Sequence, residues 1–180
     1  QKGRLKRLTA VSGLENTKGW WNSVQGIDID HDGDTDYLLG NFGLNAVLQA
    51  DSARPITLLV DDFDDNGSLD PILFSYVKGV NVPFVNRDLF CEQMPAFNNR
   101  FYLFKTYAEA NFDNLFSAAQ KKHALKKYVT ELRSCVLINH GTSFEVMPLP
   151  YALQLAPVYG LLADELNNDN RPDVLTVGNT

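Results

Sequence analysis

The sequence predicts a mainly β fold interrupted by a helical insertion, and three observations carry that prediction. Short apolar runs punctuated by Gly, Asn and Asp fill both ends of the chain, a middle stretch changes to helical capping signals, and one acidic nine-residue pattern recurs three times. The 180 residues, 44% hydrophobic and 21% charged, suffice for one core or two small ones. Apolar runs such as 72–74 and 136–138 fall far short of the roughly 18 residues that a membrane helix requires, so no membrane-spanning segment is expected. A net charge of -6 with scattered Lys and Arg argues against nucleic-acid binding. The chain opens on Gln1 and stops at Thr180 straight after a strand-like run, which reads as a piece of a larger protein.

Taken in order, the strand-like runs are 37–39, 56–60 and 72–77 before the middle segment, and 136–138, 144–147, 158–163 and 174–177 after it. Residues 86–134 hold eight Lys or Arg against five acids, leaving eight bases and seventeen acids elsewhere. Within that segment Thr106 with Glu109, and Ser117 with Gln120, fit the capping box, in which two side chains satisfy orphan amides of a first helical turn. Beyond the second box, Leu125, Tyr128, Val129 and Leu132 follow at i, i+3, i+4 and i+7, which predicts a helix of about four turns. The expected division is therefore 1–85 β, 86–134 helical insertion and 135–180 β.

The repeated pattern is DxDx(D/N)GxxD. Loop one carries Asp28, Asp30, Asp32, Gly33, Asp34 and Asp36; loop two carries Asp62, Asp64, Asn66, Gly67, Ser68 and Asp70. Loop three, Glu165, Asn167, Asp169, Asn170, Arg171 and Asp173, fits with Glu for the first Asp and Asn for the Gly. Alternating oxygen donors in a tight turn suit a hard cation with six to eight ligands, which describes calcium and not zinc. The expected ligands are the side chains of Asp28, Asp30, Asp32 and Asp36 with the carbonyl of Asp34, and those of Asp62, Asp64, Asn66 and Asp70 with the carbonyl of Ser68. In loop three they are Glu165, Asn167, Asp169 and Asp173 with the carbonyl of Arg171, Asn170 taking the Gly role. One acidic turn is ordinarily a solvated turn; three in one register point to Ca2+ as a structural ion. An EF-hand is excluded, since the twelfth positions are Leu39 and Leu73, inside apparent strands.

A strand, a nine-residue acidic loop and a strand, repeated, resemble the FG-GAP and VCBS repeats of integrin-α-like β-propellers. The resemblance covers residues 8–85 and 135–180, including the words at 8–14, 20–23, 40–43 and 156–160. It implies a partial β-propeller made of antiparallel blades, each acidic loop joining neighbouring strands of a blade and holding calcium. It also implies an exported protein, periplasmic, outer-membrane-associated or at the cell surface, that acts in binding or scaffolding on a protein or glycan ligand. A closed ring has about four to eight blades, so three loops imply an open arc or part of a larger propeller-containing chain. The alternative is part of a carbohydrate-active enzyme built on a calcium-dependent propeller, for which Glu109, Asp113 and Glu131 are the nearest carboxylates outside the loops.

Other chemistry has weaker signals. The chain lacks HExxH, GxSxG, a P-loop and GxGxxG, and His31, His123 and His140 read as surface residues. Cys91 and Cys135 bracket the middle segment and read as buried small hydrophobes in preference to a disulfide. Of Trp20 and Trp21, adjacent on a strand, one is expected in a core and only the other could stack on a sugar. Lys121, Lys122, Lys126 and Lys127 form an expected basic helix face, and Asn66-Gly67-Ser68 matches a glycosylation sequon whose residues are better assigned to the ion.

Overall fold

The computed structural model describes residues 13–169 and 171–179, so the resembling residues 8–12 and the Gly-role residue Asn170 lie outside the described residues. Among the described residues, ten strands make the fold mainly β: β1 (Ser23–Ile27), β2 (Asp36–Gly40), β3 (Ile56–Asp61), β4 (Asp70–Val77), β5 (Val80–Pro83), β6 (Leu125–Val129), β7 (Cys135–Asn139), β8 (Phe144–Pro148), β9 (Val158–Asp164) and β10 (Asp173–Gly178). Three short helices, α1 (Arg87–Gln93), α2 (Phe104–Ala108) and α3 (Ala118–His123), lie between β5 and β6. Each pairing between these ten strands is antiparallel.

The chain divides into two compact units, Gln1–Val47 with Thr130–Thr180, and Leu48–Val129. The sequence places divisions at 85/86 and 134/135; the structure places them at 47/48 and 129/130 because β6 pairs with β3, tying residues 125–129 to the sheet that carries loop two.

In the first unit a four-stranded sheet runs β1-β2-β7-β8, and a two-stranded sheet pairs β9 with β10. Leu38, Val136, Ile138 and Leu149 form its core, with Ile27, Leu161, Ala163 and Val174 packed against them, so that the two sheets share one apolar layer. Gly40 packs against the start of β9: a Cβ there would collide with Ser23 Oγ and the carbonyl of Val158. Its neighbour Asn41, fully buried, is satisfied at every polar atom. Its N–H donates to Ser134 Oγ (3.0 Å), its amide donates to the carbonyls of Glu131 and Arg133, and its Oδ1 accepts from the N–H groups of Trp20 and Phe42. A buried polar residue needs such partners, and these fasten the end of β2 to the returning chain before β7.

Both tryptophans are half-buried and have intramolecular roles. Trp20 packs edge-on against Phe42, and Trp21 Nε1 donates to the carbonyl of Thr17.

In the second unit the sheet order is β5-β4-β3-β6. Leu59, Ile72 and Phe74 from the inner strands meet Phe90, Met94, Phe101, Leu115 and Phe116 from the helical segment. Phe90, with none of its surface exposed, is ringed by Phe97, Phe101 and Tyr107 at centroid distances of 5.3–5.6 Å. The Asn86 side chain caps α1 by accepting from the Leu89 N–H.

Two helical expectations are corrected. The Ser117/Gln120 capping box is present, but α3 ends at His123, and the supposed helical stripe becomes β6, in which Leu125 and Tyr128 are exposed. Tyr128 and Val129 favour extended backbone, and the ladder to β3 outweighs the local helical period. Lys126 and Lys127 thus sit on an edge strand, where charge discourages further pairing, while Lys121 and Lys122 remain on α3. The Thr106/Glu109 box does not form: Thr106 lies within α2 and its hydroxyl donates back to the Leu103 carbonyl.

Cys91 and Cys135 are buried free thiols. Burial pushes the Cys135 thiol up to about 12. At a pH of about 8.5 it stays protonated in the native protein, so thiol-labelling kinetics should show Cys135 reacting only when denaturant unfolds the chain. Phe90→Ala should destabilise the second unit by about 3–5 kcal/mol in urea unfolding, through lost burial and the cavity left behind.

Candidate metal centre

All three acidic loops hang from the same point of a hairpin. The last strand pair before each loop is Ile27 with Asp36, Asp61 with Asp70, and Asp164 with Asp173, so the ninth loop residue always faces the residue preceding the first. Loop one joins β1 to β2, loop two β3 to β4, and loop three β9 to β10. Strands on both sides agree with the exclusion of an EF-hand.

The internal hydrogen bonds repeat as well. The N–H of position two donates to the ninth carboxylate in each loop: Ile29 to Asp36 Oδ2 at 2.9 Å, Phe63 to Asp70 Oδ2 at 3.0 Å, Leu166 to Asp173 Oδ2 at 3.0 Å. Position seven donates to the side chain of position five: Asp34 to Asp32 Oδ1 and Ser68 to Asn66 Oδ1, both at 2.8 Å, and Arg171 to Asp169 Oδ1 at 2.9 Å. Position four is left-handed throughout, with φ of 62° at His31, 57° at Asp65 and 64° at Asn168. At position six Gly33 and Gly67 take φ of 92° and 87°, as a backbone without Cβ allows, and donate their N–H groups to Asp28 Oδ2 and Asp62 Oδ2.

This scaffold gathers carboxylates. Oxygens of Asp28, Asp30 and Asp36 lie within 4.8 Å of one another, and so do those of Asp62, Asp64 and Asp70. Each triad could hold a metal ion. Two carboxylates about 4 Å apart repel by roughly 4 kcal/mol at an effective dielectric near 20, a repulsion that a bound cation would relieve. Asp36 and Asp70 are buried, and their second oxygens accept from the Asn139 N–H and from Gln93 Nε2. Asp28 Oδ1 and Asp64 Oδ1 are buried with no hydrogen-bond partner. The donor set is oxygen only, which fits a hard cation.

Asp32 and Asn66 turn Oδ1 toward the backbone of position seven, while Asp34 and Ser68 are exposed loop residues. In loop three Asn167 replaces the central Asp, and its amide donates to Asp169 Oδ2 (3.4 Å) and Asp173 Oδ1 (3.2 Å). Among the described residues, Glu165, Asp169 and Asp173 do not form a third carboxylate triad, and Arg171 is exposed. Loops one and three face a shared cleft of about 580 Å³ lined by Asp28, His31, Glu165 and Arg171. The alternative carboxylates are not drawn together: Glu131 is buried in an ion pair with Arg133, and Glu109 and Asp113 are exposed.

Sequence reasoning passed over three contributors. Position two is apolar in every loop, and in the first two it anchors the loop in a core: Ile29 packs on the first unit's cluster, and Phe63 stacks on Phe116 at 3.8 Å. Asn139 and Gln93 left no local signal, because they reach the loops from distant parts of the chain.

No protein-family model matches this chain, and comparison with curated proteins and with solved structures gave no significant match.

His31→Asn, which installs at position four the residue loop three already carries there, should leave stability within about 0.5 kcal/mol. Gly33→Ala should cost about 1–2 kcal/mol, since the left-handed conformation penalises a Cβ even in open space. Chemical unfolding of both variants in chelator checks the pair.

Proposed function

We propose that loops one and two each hold a calcium ion, and that the chain belongs to an FG-GAP/VCBS-type β-propeller in which these ions brace antiparallel blades. The observation that carries this reading is the pair of buried, unpartnered oxygens, Asp28 Oδ1 and Asp64 Oδ1, at equivalent acidic triads. Asp28, Asp30 and Asp36 would supply one set of ligands and Asp62, Asp64 and Asp70 the other. Calcium's tolerance of six to eight oxygen ligands suits loops that also offer backbone carbonyls. The resemblance adds placement outside the cytoplasm and work as a binding or scaffolding module on a protein or glycan.

An ion that binds only the folded state adds about 2.7 kcal/mol at a hundredfold excess over its dissociation constant. Melting with calcium chloride and with EDTA should therefore differ by several degrees. Asp30→Ala should erase the part of that difference belonging to the first unit, and Asp64→Ala the part belonging to the second. Identical melting of the native chain in both solutions would overturn the proposal.

A further inference from the structure

The chain has one Asn-Gly pair, Asn66-Gly67, at the exposed tip of loop two. Such a pair is chemically labile because no Cβ on the second residue hinders attack of its amide nitrogen on the Asn side chain; a Cβ at Gly67 would meet only open space. Both reacting groups are engaged here. The Gly67 N–H donates to Asp62 Oδ2 at 2.8 Å, and Asn66 Oδ1 accepts from the Ser68 N–H at 2.8 Å. The Asn66 N–H is held as well, by Asp62 Oδ1 at 3.0 Å. Asp62 therefore grips the backbone on both sides of the bond about which the chain must turn before nitrogen can reach the side-chain carbon.

We propose that Asn66-Gly67 is a deamidation site that loop two keeps closed through Asp62, so that opening of the loop releases the reaction. Once free, the Gly67 nitrogen loses its proton to solvent and attacks Asn66 Cγ, forming a new N–C bond. The carboxamide nitrogen takes up a proton and leaves as ammonia, giving a five-membered succinimide. Water then opens that ring at either carbonyl to give aspartate or isoaspartate, so one water enters and one ammonia departs.

The two products act oppositely on the loop. Aspartate at 66 reproduces Asp32 of loop one, whose Oδ1 accepts from the N–H of position seven as Asn66 Oδ1 does, and so keeps the loop's path. Isoaspartate lengthens the backbone by one atom, breaking the spacing between Asp62 and Asp70. Loop two would thus record how long it has stood open. The further expectation that calcium slows the reaction, by holding Asp62, rests on the calcium reading of loop two.

The test is peptide mapping by mass spectrometry of the full chain, incubated with calcium chloride, with EDTA, or with EDTA and urea. Conversion at Asn66 should be slowest with calcium, faster in EDTA and fastest in urea. In EDTA, Asp62→Asn should speed conversion several-fold, and Gly67→Ala should suppress it. Conversion in folded EDTA protein as fast as in urea would overturn the proposal without reliance on any variant. Failure of Asp62→Asn to speed the reaction while circular dichroism shows it folded would overturn it too. Equal rates with calcium and EDTA, both slower than in urea and still raised by Asp62→Asn, would uphold the closed site and remove calcium from loop two.

Discussion

A carboxylate buried at the ninth position closes the first two acidic loops, and the surrounding structure depends on keeping it satisfied. Asp36 and Asp70 are almost wholly removed from solvent. Each accepts the N–H of the residue seven positions earlier, which pulls the two ends of the loop together across a strand pair. Burying a charge is expensive unless hydrogen bonds or a counter-charge compensate, and no Lys or Arg ion pair is made by either group among the described residues. Asn139 from β7 and Gln93 from α1 answer part of that need, one in each unit. The loop, its hairpin and one further element are therefore coupled through a single side chain.

The same constraint explains why the two loops sit on solid cores. Position two must bring its N–H to the closing carboxylate, and its side chain is then directed inward. Ile29 joins the first unit's apolar cluster, and Phe63 stacks on Phe116 while its carbonyl accepts from Gln120 Nε2. Apolar burial thus holds the backbone from which the acidic side chains project. In loop three the equivalent Leu166 is more than half exposed, and the closing Asp173 is only partly buried.

Much of this was legible in the sequence where a physical signal was local. Seven strands announced themselves as apolar runs between turn residues, and the acidic loops by strict spacing. β1 carries no such local signal because Gln25 and Gly26 interrupt its pattern, and β5 none because it spans only Val80–Pro83. β6 was masked by a conflicting signal: a valid capping box opens α3, and Leu125, Tyr128, Val129 and Leu132 happen to continue its period. What decided that stretch was hydrogen bonding to β3, more than sixty residues earlier, which no local window contains. The partners of Asp36 and Asp70 are non-local for the same reason.

The contrast among the loops turns on one atom at position three. Asp30 and Asp64 bring carboxylates into groups that already hold two others, whereas Asn167 brings an amide whose N–H groups donate to Asp169 and Asp173. An amide donor inside the loop supplies some of the positive character that a triad of carboxylates can obtain only from outside. The described residues of loop three therefore satisfy one another with their own hydrogen bonds, while loops one and two retain repulsion among their acids and an unpartnered oxygen each. Shared hydrogen bonds among the described loop residues do not imply the same capacity to hold a cation; that capacity follows from how many charges the loop concentrates and how deeply it buries them.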